Sequence, residues 1–72
     1  MVEVFKTNVQ NSSSAEKVLF LIRQLDLKYE VNFDLEDCDK ILRIEYKSGI
    51  VDSPLILVLI HQMGFTAEVL ED

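Results

Sequence analysis

The chain has a single cysteine, Cys38, so no intrachain disulfide can brace it. It has no tryptophan, one proline and two glycines, and neither an internal repeat nor a low-complexity segment is evident. Basic residues are scarce: 7 Lys and Arg stand against 13 Asp and Glu, for a net charge of -6. That balance argues against nucleic acid, whose phosphates demand a basic surface, and it suits solubility, a basic partner or a cation. Long apolar runs are missing too. The longest, Leu55 to Ile60, falls far short of the roughly 20 residues of a membrane-spanning helix, so no membrane association is expected. The first residues read as a strand rather than as an export signal, and a lone thiol suits a reducing compartment, so a cytoplasmic location is expected.

What remains is enough for one domain over residues 1–72. A core of that size is marginal, and such domains often rely on a metal or a partner subunit. Met1 to Thr7 reads as a strand, with Val2, Val4 and Phe5 among charged residues. A polar stretch from Asn8 to Ser14 follows. Ser13 with Glu16 has the spacing of a capping box, worth about 1 kcal/mol. The helix it opens presents Ala15, Val18, Leu21, Ile22 and Leu25 as one apolar stripe. From Lys28 to Leu35 the period switches to two, with Tyr29, Val31, Phe33 and Leu35 on one side. Glu36 to Asp39 forms a short turn into a further strand, Ile41 to Tyr46, which makes a hairpin. Ser53 and Pro54 predict a helix start, Gly64 a helix end, and Phe65 to Leu70 a final strand. The order strand, helix, strand, strand, helix, strand predicts an α+β fold. It favours a ferredoxin-like βαββαβ sandwich, a four-stranded antiparallel sheet with two helices on one face.

Laid end to end, these elements resemble the heavy-metal-associated, metallochaperone-like family. That family carries Met-x-Cys-x-x-Cys between its first strand and helix, and an apolar core residue four positions after the second cysteine. Counting back from Val18 places Ser14 and Asn11 at the cysteine positions and Val9 at the methionine. Leu21, Ile22 and Leu25 continue the register, Ile56 and Ile60 match core positions of helix two, and Gly64-Phe65-Thr66-Ala67 is similar to the family's Gly-aromatic-x-Ala ending. The resemblance implies a degenerate member, because the diagnostic Cys-x-x-Cys is missing. An amino-acid-binding regulatory domain of the ACT type is the rival with the same layout.

A copper or zinc site needs soft, ionised or imidazole ligands, and Asn11 and Ser14 offer neutral oxygens. No cofactor is therefore expected. An alternative metal set joins Cys38 of the hairpin turn to His61, near the end of helix two, with Met63 nearby and Asp37 and Asp39 adding charge. Enzymatic activity is not expected either: no nucleophile–base pair and no glycine-rich phosphate loop can be assembled from these residues.

Helix two holds the more informative anomaly. With Ile56, Leu57, Ile60 and Met63 as its buried stripe, Leu55, Val58, Leu59 and Gln62 point outward, and a helix apolar all round is normally covered on both sides. Phe20 lies on the outer side of helix one and would join them in one patch. The expected function is protein association through that patch, as a homodimer or with another protein. The competing expectations are that loop 47–52 or the C-terminal tail covers the patch, that the chain binds metal through Cys38 and His61, or that it senses a small ligand as ACT domains do.

Overall fold

A computed structural model describes residues 1–70. Its elements are β1 (Val2–Thr7), α1 (Ser12–Leu25), β2 (Glu30–Asp34), β3 (Ile41–Glu45), α2 (Ser53–Gln62) and β4 (Ala67–Val69). The four strands lie in the order β2-β3-β1-β4 with every neighbouring pair antiparallel. This is the α+β class read from the sequence, with a four-stranded antiparallel sheet and two helices, and it is compatible with a ferredoxin-like fold.

Register decides which side of the sheet is dry. Phe5 stands opposite Leu42, and Val31 opposite Ile44, so these four share one face and all are buried. The intervening Lys6, Asn32, Arg43 and Glu68 are exposed. Ala15, Val18 and Ile22 of α1 and Ile56 and Ile60 of α2 join the same core cluster, so both helices cover the apolar face. Each of these side chains larger than Ala15 contributes roughly 1.5–3 kcal/mol by leaving water.

Both helix starts differ from the sequence expectation, and for one reason. The cap of α1 is Asn11, whose Oδ1 accepts the Ser14 amide at 2.8 Å, rather than Ser13 of a capping box. The cap of α2 is Asp52, accepting the Leu55 amide at 3.3 Å, with Ser53 already inside the helix. In each case a valine just ahead of the cap, Val9 or Val51, is drawn into the core and fixes where the chain enters the helix. Val51 and Ile56 stand in the relation of a hydrophobic staple, both buried in the core cluster.

Gly64 ends α2 as read. Its φ is 90°, its amide donates to the His61 carbonyl at 3.0 Å, and the Phe65 amide donates to the Ile60 carbonyl at 3.2 Å. That pair of bonds is a Schellman close, which needs a left-handed residue and so favours glycine.

The stripe expected on α1 is narrower than its periodicity suggested. Leu21 is only half-buried and Leu25 is exposed, while Leu19 packs against the core in their place. Leu25 is the last residue of the helix and stays 40% exposed. The final strand is likewise shorter than Phe65 to Leu70, pairing with β1 over Ala67–Val69.

Candidate functional site

The loop between β1 and α1 is where the family resemblance would place a metal. Here Val9 is buried completely, Asn11 spends its side-chain oxygen on the helix cap, and Ser14 supplies the capped amide. The donors present are neutral oxygens with a structural role, so they do not fit a soft cation.

Thr7, which sequence reading left as the last residue of a strand, organises this end of the molecule. It is the buried polar residue of the core, donating its hydroxyl to the Lys40 carbonyl at 2.6 Å and accepting the Val9 amide at 3.2 Å. Lys40 has a φ of 47°, so Thr7 ties a left-handed turn residue to the entry of α1. Asn8 completes the brace: its Oδ1 accepts the Thr66 amide at 2.8 Å, and its own amide donates to the Thr66 carbonyl at 3.3 Å. The only hint in the sequence is that Thr7 shares the strand parity of Phe5.

The hairpin turn lies at the same pole, since the Thr7 amide donates to the Asp39 carbonyl at 3.0 Å. Ligand atoms of Asp37, Cys38 and Asp39 fall within 4.8 Å of one another, and Cys38 is an exposed free thiol. The carboxylates already have partners: Asp37 Oδ1 accepts the Asp39 amide at 2.8 Å, and Asp39 lies 3.8 Å from the Lys6 ammonium. His61 is not a member of that group. It borders a shallow depression beside β4 with Val58, Gln62 and Thr66.

The patch expected across the helices divides. Phe20 is 61% exposed, Val58 52% and Leu55 44%. Leu59 is not on the outer face: it is half-buried and packed against the core cluster, because α2 turns that flank inward. Phe20 borders a groove with Leu21 and Met63, whereas Val58 and Gln62 border the depression beside β4. Loop 47–52 leaves Phe20, Leu55 and Val58 uncovered. Of the C-terminal tail, residues 71–72 lie outside the described residues. The most exposed apolar side chains were not singled out from sequence at all: Leu27 at 86% and Ile50 at 78%, both in connections rather than in periodic segments.

At the opposite pole the Tyr46 hydroxyl donates to Asp26 Oδ2 at 2.6 Å, and the rings of Tyr29 and Tyr46 lie 4.6 Å apart. The hydrogen bond from Tyr46, helped by the Lys28 amide at 2.8 Å, holds the Asp26 carboxyl below its ordinary pKa. The same bond pushes the Tyr46 phenol above its ordinary pKa. The signs agree. Asp26 stabilises the fold above its ordinary pKa and loses that contribution as pH falls through the depressed value; Tyr46 does so below its ordinary pKa and loses it as pH rises through the raised value. The bond therefore persists across the whole interval between them. In Tyr46→Phe, the Asp26 carboxyl is expected to titrate closer to an ordinary aspartate, as read by carboxyl-carbon NMR. An unchanged Asp26 titration would show that Tyr46 is not the main cause.

Among the described residues no helix is long and apolar enough to cross a membrane. Compared with known proteins, the chain is matched by no family model and, in sequence, by no curated protein.

Proposed function

We propose that this chain is a non-enzymatic, cytoplasmic module of heavy-metal-associated type, ferredoxin-like in its connectivity, that acts by protein association through its helices. The observation that carries this reading is the exposure of Phe20, Val58 and Leu55 on a domain of 72 residues. Large apolar side chains left exposed on the outer sides of both helices of a small domain favour an interface there, even though they do not form one continuous patch. The helix-capping roles of Asn11 and Ser14 support the loss of the family's metal chemistry. Burying the exposed helix residues against a partner would contribute on the order of 5 kcal/mol before the cost of association.

Sedimentation velocity over a wide concentration range tests the reading. Self-association that Val58→Glu reverses is the expected result. A strict monomer at the highest concentration, with no partner recovered in pull-downs, removes it.

A further inference from the structure

The sheet order leaves β2 on an edge, paired with β3 alone. An edge strand presents a row of backbone N–H and C=O groups that another extended chain can pair with. Along β2, Val31 and Phe33 turn toward the covered face of the sheet, whereas Glu30, Asn32 and Asp34 are exposed on the other. Between this edge and α1 runs an open groove of about 600 Å³ that both Leu19 and Phe33 help to line. A strand edge beside a helix-bounded groove has the form of a β-augmentation site: backbone bonds supply affinity, and alternate side chains supply selectivity.

Charge selects the occupant. A second copy is disfavoured, because the antiparallel pairing that overlaps all five residues of β2 would set Glu30 of each copy against Asp34 of the other. Like charges directly opposite one another destabilise a strand pair. The groove's other charged lining residues are also mainly acidic, Glu16 and Glu36 against Arg23.

We propose that the edge of β2 and its groove bind an extended segment of another protein in which lysine or arginine alternates with aliphatic residues. The aliphatic side chains enter the groove against Leu19 and Phe33, and the basic ones lie beside Glu30 and Asp34 on the open face of the sheet. This groove shares Glu16 with the one beside Phe20 but no lining residue with the depression beside Val58, so a change at Val58 distinguishes failure of the helix-face reading from failure of this one.

The test is an NMR titration of the isotopically labelled full chain with a synthetic peptide of about seven residues alternating lysine and valine, long enough to span the strand. Saturable shifts of the β2 amides and of Leu19 are expected. Exchanging lysine for glutamate in the peptide should weaken binding about tenfold or more. Glu30→Lys combined with Asn32→Lys should weaken the lysine peptide by a similar factor, while Val58→Glu leaves it unchanged. Absence of shifts at millimolar peptide, shifts confined to other elements, or equal affinity for the glutamate peptide would each overturn the proposal. So would β2 shifts that follow protein concentration without peptide, which would put a second copy on the edge. The peptide exchange is read on the unaltered chain and decides the matter even if the double variant folds poorly.

Discussion

Thr7→Val is expected to destabilise the domain by about 3 kcal/mol, although it keeps the shape and the β-branching of the side chain. The hydroxyl bonds the end of β1 to the hairpin residue Lys40, 33 residues away in sequence, and also holds the Val9 amide ahead of α1. Removing it leaves a carbonyl and an amide without their partner in or beside the core, at about 1–3 kcal/mol for each unsatisfied group. Urea unfolding measures the change, and Thr7→Ser should recover much of it because the hydroxyl is restored. A loss below about 0.5 kcal/mol in Thr7→Val, the range of an ordinary surface substitution, would show that water replaces the hydroxyl and that the brace is not structural.

The second large effect is a contrast between neighbours. Leu59→Glu should destabilise by several kcal/mol and unfold much of the population, because Leu59 packs against the core and a carboxylate there has no partner. Val58→Glu should change stability by no more than about 0.5 kcal/mol, because Val58 is 52% exposed. Thermal unfolding of the two variants side by side measures this directly. Equal stability would mean that Leu59 does not pack against the core. The contrast also determines which residue can test association: a charge at position 58 probes the surface, and one at position 59 probes the core.

The two poles of the sheet are built from different chemistry. One is braced by Thr7, Asn8 and the turn around Lys40, where hydrogen bonds between neutral groups stand beside the Lys6–Asp39 ion pair. The other is closed by Tyr46 on Asp26, a charge-assisted bond whose strength follows the ionisation of both partners. The loop that would hold a metal in the family it resembles lies at the first of these poles, where the Asn11 side-chain oxygen is committed to capping α1. Apolar side chains on the outer sides of the helices and an acidic strand edge are among the features left exposed.

Much of this fold is written locally. Alternation in β2 and β3, the apolar stripe of α1 and the glycine that closes α2 are short-range patterns, and each led to an element within a few residues of its observed bounds. The absence of thiolates at Asn11 and Ser14 is likewise plain in the sequence, since side-chain chemistry does not depend on packing. Helix entry was not legible, because Val9 and Val51 enter the core only once a sheet exists to receive them, and that burial moves the cap to Asn11 and Asp52. The role of Thr7 was hidden because both of its partners are backbone groups, which carry no sequence signal. Nor could helical spacing separate Leu59 from Val58: adjacent residues on a uniformly apolar helix differ only in which neighbour they meet. Sequence alone therefore determined the elements, their order along the chain and the absence of thiols at Asn11 and Ser14. Which apolar side chains face water, and which strands lie at the edges of the sheet, was decided only when the sheet and both helices came together.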